Sequence, residues 1–132
     1  MAHILVIDDD DLVRLYLLTV LSNAGHTVQE TDSGQNCLEQ IARNHIDLII
    51  TDIFMPNMDG LELLAVLDKL HPTNKVIAMS GGGSTMSRKL ALKVARKFGA
   101  IAFITKPFQI GDVINTVSRA LSPPGHDLQA QD

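Results

Sequence analysis

Five strand-like segments alternate along this chain with five segments of helical periodicity, and the links between them are short. Strict alternation of this kind predicts a parallel sheet with right-handed crossovers and helices on both faces. The first segment is apolar throughout, as in a central strand that is buried on both faces. The predicted fold class is α/β, a doubly wound five-stranded parallel sheet with five helices. The predicted strands are residues 3–7, 26–30, 46–51, 75–80 and 101–105.

Each predicted helix carries an apolar stripe with a spacing of three or four residues, which we expect to face the sheet. The stripes contain Val13, Leu17, Val20, Leu21, Ala24, then Cys37, Leu38, Ile41, then Leu63, Val66, Leu67, Leu70, then Leu90, Ala91, Val94, Ala95, Phe98, and finally Ile110, Val113, Ile114, Val117 and Leu121. Asp10 or Asp11 is expected to cap the first helix, and Gly25 to end it. Ser33 and Ser84 are expected to begin the second and fourth helices.

The length and composition predict one domain. The chain has 132 residues, and the 45% that are hydrophobic can fill one core. We expect this domain to cover residues 1–121 and a disordered polar tail to cover residues 122–132. Because no apolar run could cross a bilayer and Cys37 is the single cysteine, we expect a cytoplasmic protein without membrane contact. A net charge of −4 gives no global attraction to nucleic acid.

Polar side chains stand at the carboxyl ends of the predicted strands. They are Asp8 and Asp9 after the first strand, Asp52 after the third, Ser80 at the end of the fourth and Lys106 after the fifth. In a parallel sheet these ends share one edge, where ligands usually bind. Like charges crowded there repel one another, and a fold tolerates them mainly where a cation is expected. The sequence therefore predicts one polar, cation-binding site, while Asp10 and Asp11 are expected to form a solvated helix start.

In this order, the segments resemble the receiver domains of bacterial two-component response regulators. The resemblance covers about residues 3–121. The matching pieces are residues 4–10 (ILVIDDD), residues 48–60 (LIITDIFMPNMDG), Ser80 and residues 106–108 (KPF). The resemblance implies a flavodoxin-like receiver fold with strand order 2-1-3-4-5. It also makes the Lys106–Pro107 bond a candidate cis peptide, since prolyl bonds adopt this form at low cost.

The resemblance also implies a role for each polar residue at the sheet edge. These roles are phosphoacceptor for Asp52, Mg²⁺ ligand for Asp8 and Asp9, phosphate-binding lysine for Lys106, switch hydroxyl for Ser80 and switch aromatic for Phe103. The chemistry agrees, because a carboxylate that attacks a phosphoryl group needs its charge neutralised. Mg²⁺ prefers oxygen ligands, which Asp9, Asp52 and the backbone carbonyl of Phe54 could supply, with Asp8 acting directly or through a water. The product would be an aspartyl phosphate that serves as a signal. We therefore expect no enzymatic activity other than the domain's own phosphoryl transfer and autodephosphorylation.

The expected partners follow from the same resemblance. The phosphoryl donor would be a sensor histidine kinase or a histidine phosphotransfer protein. A downstream protein would bind the surface formed by the fourth helix, fifth strand and fifth helix, and we expect no direct nucleic acid partner. Lys89, Lys93 and Arg96 lie at helical spacing there, which suits either an acidic partner or a merely solvated face. The expected oligomeric state is a monomer or a weak phosphorylation-dependent dimer.

Three residues depart from the common receiver pattern. Phe54 stands two positions after Asp52, where many receivers carry a polar side chain, and Gly82 stands two positions after Ser80. Neither side chain can orient an attacking water, so we expect a comparatively long-lived phosphorylated form. Gly81 is expected to leave the site open to small phosphodonors.

Other functions are compatible with the same alternation. A Mg²⁺-dependent phosphohydrolase would use Asp52 as nucleophile, but Phe54 cannot serve as its general acid. A flavodoxin-like cofactor binder is disfavoured because aromatic residues make up only 4% of the chain. A constitutive interaction module would not need the complete set of acids, hydroxyl and lysine.

Overall fold

The computed structural model describes residues 1–54, 60–81 and 87–122 of the chain. In chain order its elements are β1 (His3–Ile7), α1 (Asp11–Asn23), β2 (Thr27–Thr31), α2 (Gly34–Arg43), β3 (Leu48–Asp52), α3 (Gly60–Leu70), β4 (Lys75–Ser80), α4 (Arg88–Lys97), β5 (Ala102–Thr105) and α5 (Ile110–Leu121). The predicted alternation is confirmed. Among the described helices, none is both long enough and apolar enough to cross a bilayer. The predicted disordered tail beyond Ser122 and the expectations for Gly82 and Ser84 lie outside the described residues.

The five strands form one parallel sheet in the order β2-β1-β3-β4-β5, which is the order that the resemblance implies. β1 lies between two neighbours, and its last residue, Ile7, pairs with Thr31 of β2 and with Thr51 of β3. At the other side of β3, Asp52 pairs with Met79 of β4. The carboxyl ends of these strands therefore lie side by side along one edge of the sheet.

Alternate residues of the strands fill two separate cores. The core under α2, α3 and α4 includes Leu5, Ile7, Cys37, Ile49, Leu63, Leu64, Leu67, Ala78, Ala91 and Ala95. The core under α1 and α5 includes Ile4, Val6, Leu17, Leu21, Leu48, Ile50, Ile77, Met79, Val113 and Val117. Side chains that point alternately to the two faces of a strand explain this division. Burial raises the pKa of the Cys37 thiol to about 12, so Cys37 behaves as a small core residue.

Polar side chains fix the starts of three helices. The Asp10 carboxylate accepts a hydrogen bond from the Leu12 N–H and caps α1, which confirms the first of the two expected caps. Ser33 caps α2 as predicted. α4 begins at Arg88, after Ser87, whose hydroxyl accepts from the backbone N–H of the third helical residue.

Several residues of the predicted apolar stripes are exposed. They are Ala24, Leu70, Leu90, Ile110 and Ile114. Leu70 is the last residue of α3 and Ile110 is the first residue of α5, so both lie at helix ends. Ile101 is also exposed, and β5 begins one residue later than predicted. Four other strand limits differ. β2 begins and ends one residue later than predicted, at Thr27 and Thr31, and β3 begins two residues later, at Leu48, and ends one residue later, at Asp52.

Candidate functional site

Three carboxylates lie together at the carboxyl edge of the sheet. Asp8 follows β1 directly, Asp9 is the next residue, and Asp52 is the last residue of β3. One oxygen from each carboxylate lies within 4.8 Å of the others. Asp8 is fully buried and Asp52 is 6% exposed, whereas Asp9 is exposed. The three acids that the sequence predicted as neighbours are therefore gathered in one place.

Lys106 directly follows the edge strand β5, and its side chain reaches this cluster. Its Nζ donates hydrogen bonds to Asp8 Oδ2 at 2.7 Å and to Asp52 Oδ2 at 3.1 Å. Its backbone N–H donates to the carbonyl of Ser80 at 2.7 Å, which continues the pairing of β4 and β5 beyond β5 itself. The Lys106–Pro107 bond is cis, as the resemblance suggested.

Backbone N–H groups hold the second oxygen of each buried carboxylate. The N–H of Asp10 donates to Asp8 Oδ1 at 2.9 Å, and the N–H of Phe54 donates to Asp52 Oδ1 at 3.1 Å. Both donors lie two residues after their acceptor, so the turn after each strand orients the acid that begins it. In each carboxylate, Oδ1 is thus bound to the backbone and Oδ2 is directed at Lys106.

Burial is the largest single influence on the pKa values of Asp8 and Lys106. It raises the pKa of Asp8, while the hydrogen bonds from Lys106 and from the Asp10 N–H oppose the rise, and the charge of Asp52 adds least. The main cause of the raised pKa of Asp8 is therefore desolvation, and repulsion by the neighbouring carboxylate contributes less. Burial alone would lower the pKa of Lys106, but the hydrogen bonds and charges of Asp8 and Asp52 together raise it.

Arg14 supports the acidic turn, and our reading of the sequence missed it. Its Nη1 donates to the backbone carbonyl of Asp8 at 2.7 Å, its Nε donates to Glu30 at 2.9 Å, and its Nη2 contacts Asp11. The hydrogen bond to Glu30 is the main reason that the pKa of Arg14 is raised. Arg14 is the single basic residue of α1 and comes three residues after an acidic run, which is the signal that could have indicated its role.

The two predicted switch residues lie on neighbouring strands. Ser80 ends β4, is 5% exposed and pairs with Thr105 of β5. Phe103 is half-buried, pairs with Ala78 and packs against the core under α2, α3 and α4. Gly81 does not leave open space beside Ser80 as expected, because the side chain of Lys106 lies against it.

The donor set fits a hard divalent cation. The clustered atoms are carboxylate oxygens from Asp8, Asp9 and Asp52, and oxygen ligands are those that Mg²⁺ prefers. One of the three acids is exposed, so a cation could keep several of its waters, which is usual for Mg²⁺. The same residues could therefore hold Mg²⁺ beside the ammonium group of Lys106.

Comparison with known proteins identifies the family. The sequence profile of the response regulator receiver domain matches residues 4–118. The DNA-binding transcriptional regulator NtrC of Azospirillum brasilense is 36% identical over 121 residues, which are 92% of this chain and 24% of that protein. The chain thus spans about a quarter of the length of this curated relative.

Solved structures agree with this match. The receiver domain of NtrX from Brucella abortus superposes with a TM-score of 0.83 at 32% identity, covering 89% of this chain and 97% of that one. The beryllofluoride-activated NtrC4 receiver domain dimer gives a TM-score of 0.82 at 26% identity, covering 92% and 97%. Together with the acids and the lysine gathered at one sheet edge, these matches show that the chain belongs to the response regulator receiver domain family of two-component systems.

Proposed function

We propose that the chain is a phosphorylation-activated switch in which Asp52 accepts a phosphoryl group from a phosphohistidine donor. Receiver domains are regulatory and interact with sensor kinases, so the donor would be a sensor histidine kinase or a histidine phosphotransfer protein. One observation carries the proposal. The ammonium group of Lys106 is held between the buried Asp8 and Asp52, 2.7 Å and 3.1 Å from their oxygens.

Asp52 suits the role of nucleophile better than its neighbours. Asp8 is fully buried, and its Oδ2 accepts a hydrogen bond from Lys106 Nζ at 2.7 Å. Asp9 lies on the exposed side of the cluster, where a cation is more accessible. Asp52 retains slight exposure, and the Phe54 N–H fixes one of its oxygens. This hydrogen bond orients the carboxylate for attack on phosphorus.

The reaction forms one bond and breaks one. An oxygen of Asp52 attacks phosphorus, the bond from phosphorus to the donor's imidazole nitrogen breaks, and the electron pair stays on that nitrogen. Bound Mg²⁺ would neutralise the charges that otherwise repel the attacking carboxylate and the phosphoryl group. Lys106 then pairs with a phosphoryl oxygen, and the Ser80 hydroxyl donates to another. Because water can also attack the product, we propose that the domain catalyses its own dephosphorylation.

Labelling followed by mass spectrometry tests this assignment. Acetyl phosphate with Mg²⁺ should add one phosphoryl group to the wild type, and hydroxylamine should remove it, since acyl phosphates are labile to it. Asp52→Asn should abolish the label. Asp10→Asn is a matched control, because asparagine retains the helix cap while removing one charge of the acidic run. Mg²⁺-dependent labelling that persists in Asp52→Asn would refute the choice of Asp52.

The donor protein would dock on α1, whose first residues adjoin the acidic turn. Leu12 is 76% exposed and Leu15 is 57% exposed, so α1 presents apolar surface beside the site. Exposed apolar side chains next to a reactive group are typical of a protein contact. Leu15→Ala should slow phosphoryl transfer from the donor protein while leaving phosphorylation by acetyl phosphate unchanged. Equal slowing with both donors would contradict docking on α1.

The output surface would be the α4-β5-α5 face. The phosphoryl group carries roughly −1.5 to −2 charge in place of the single negative charge of the Asp52 carboxylate, and the Ser80 hydroxyl can follow that larger charge. Phe103, which is half-buried on the adjacent strand, could then turn inward. Beryllofluoride should shift amide resonances in residues 87–121 of the wild type. Shifts confined to the turns around Asp8 and Asp52 would show that no such switch operates.

The partner at this face would carry acidic groups. Lys89, Lys93, Arg96 and Lys97 are all exposed on α4, which has no acidic residue. Charge complementarity favours an acidic protein segment there, in contact with the exposed lysines and arginine of α4. Separately, the domain would be a monomer, or a weak dimer after phosphorylation, and the activated NtrC4 receiver domain is itself a dimer. Lys93→Glu should weaken capture of the downstream protein without changing phosphorylation. Equal capture by the wild type and by Lys93→Glu would refute the charge argument.

A further inference from the structure

Lys106 reaches the acids from two and three strands away. In the sheet order, β4 separates β5 from β3, and β3 separates β4 from β1. Neighbouring strands lie about 4.8 Å apart, so β5 is roughly 10 Å from β3 and roughly 14 Å from β1. The ammonium group is carried on a four-carbon stem. It can reach Asp52 and Asp8 only when that stem lies across the end of β4.

The residue at this crossing point is Gly81, which follows β4 directly. The backbone hydrogen bond from Lys106 to Ser80, at 2.7 Å, holds the two chain segments together. A Cβ built on Gly81 would lie 3.0 Å from both Cβ and Cδ of Lys106, and 3.5 Å from its Cγ. Carbon atoms normally pack at 3.5–4.0 Å. The stem of Lys106 therefore occupies the place where a side chain of residue 81 would stand.

Backbone conformation does not explain this glycine. Among the described glycines, Gly25 and Gly99 have positive φ, whereas Gly81 does not. A positive φ therefore does not explain the glycine at position 81, and its relevant property is the missing side chain.

We propose that Gly81 is a positioning residue for Lys106: its lack of a side chain lets the lysine stem cross the end of β4 and bring Nζ to both carboxylates. This inference rests on the proposed role of Lys106 in phosphoryl transfer to Asp52. A methyl group at position 81 displaces the stem by several tenths of an ångström. The bond to Asp52, already 3.1 Å long, is then the first to be lost.

A side chain at position 81 has a second conceivable effect, since it could also hinder the approach of a phosphodonor. Displacement of Lys106 lowers the maximal rate, because the ammonium acts on the bound donor. Hindered approach instead raises the donor concentration needed for half-maximal rate. The two effects are thus separable in the same kinetic measurement.

The experiment compares Gly81→Ala and Gly81→Val with the wild type. Gly111→Ala is the matched control, because a Cβ at Gly111 meets nothing within 4 Å. With acetyl phosphate, Gly81→Ala should lower the maximal rate of phosphorylation about threefold to tenfold and Gly81→Val more than about tenfold, as expected for small misplacements of a catalytic group. The half-saturating donor concentration should change less than about twofold, and Gly111→Ala should match the wild type.

Two further measurements make the inference specific. In the metal-free protein, the NMR resonances of the Lys106 ε-methylene should shift in both Gly81 variants and stay unchanged in Gly111→Ala. In a Lys106→Ala background, Gly81→Ala should change the rate by less than about twofold, because it acts through the missing group.

A full effect of Gly81→Ala in the Lys106→Ala background would overturn the inference, as would unchanged Lys106 resonances. An increase in the half-saturating concentration alone would also overturn it and indicate hindered approach. If the wild type is never phosphorylated while the Lys106 resonances respond to Gly81→Ala, the proposed function fails and the positioning of Lys106 stands.

Discussion

Replacement of Gly60 by alanine should destabilise the fold strongly. Gly60 is the first residue of α3, and it is buried against the chain that leaves β3. A Cβ at this position would lie 2.0 Å from the Cα of Ile53, 2.1 Å from the carbonyl oxygen of Asp52 and 2.6 Å from the carbonyl carbon of Ile53. All three are backbone atoms, so no side-chain rotation can relieve the contact.

The size of the effect follows from these distances. Ordinary contact begins at 3.4 Å, so the start of α3 and the end of β3 would have to separate by 3.4 − 2.0 = 1.4 Å. One extra methyl group in a well-packed core usually costs about 1–3 kcal/mol. Rigid backbone on both sides places this case at or above the upper limit. The higher helix propensity of alanine returns about 1 kcal/mol at most. We therefore expect a net loss of at least about 2 kcal/mol, a large share of the ~5–15 kcal/mol that stabilises a typical domain.

Urea unfolding followed by circular dichroism measures this loss. Gly111→Ala is again the control, because its added methyl group meets nothing within 4 Å and improves helix propensity. It should leave the free energy of unfolding unchanged or raise it by up to about 1 kcal/mol. If Gly60→Ala lowers that free energy by less than about 1 kcal/mol, with an unchanged dependence on urea, the steric argument is wrong.

Three further predictions concern the carboxylate cluster and Phe54. Saturating Mg²⁺ should raise the melting temperature, since a hundredfold excess of ligand over Kd stabilises the folded state by about 2.7 kcal/mol. Asp9→Asn should reduce this increase in melting temperature. An unchanged melting temperature of the wild type would exclude the metal site. Because the pKa of Asp8 is raised in the fold, its ionisation destabilises the folded state as the pH rises above the unfolded value of 3.8. Asp8→Asn should therefore stabilise the metal-free protein at pH 7 in urea titrations, and this gain should disappear as the pH falls below 3.8. A loss of stability at pH 7 would contradict the raised pKa of Asp8. Phe54→Asn should shorten the lifetime of the phosphorylated form, measured as decay after removal of the donor, since asparagine can orient a water and phenylalanine cannot. Equal decay in both proteins would show that position 54 does not set the lifetime.

The sequence was sufficient to predict the elements and the acids of the site. Short apolar runs that alternate with helical periods have few compact solutions, and the parallel sheet follows from them. Asp8, Asp52 and Lys106 could be expected at one edge because each lies at the carboxyl end of a predicted strand. The strand order came from the resemblance, since alternation alone does not order the strands.

Other features depend on distances that no local pattern encodes. Arg14 contacts the turn that follows β1, the first residue of α1 and a residue of β2, and only the tertiary structure brings these acceptors together. Gly60 and Gly81 matter through the side chains they lack, which depends on what lies beside them in space. Leu70 and Leu90 fit helical stripes but are exposed, because periodicity does not show which groups lie beside each position in the folded chain.

The way each helix is attached to the sheet has a consequence for signalling. α3 is anchored by three leucines, Leu63, Leu64 and Leu67, that are at most 1% exposed, whereas the fully buried residues of α4 are Ala91 and Ala95. A buried leucine contributes about 1.5–3 kcal/mol, and each methylene about 0.8 kcal/mol, so α4 is held by a much smaller hydrophobic free energy. A helix that rests on methyl groups can slide or rotate without opening a large cavity in the core. A small rearrangement near Asp52 therefore displaces α4 more easily than α3.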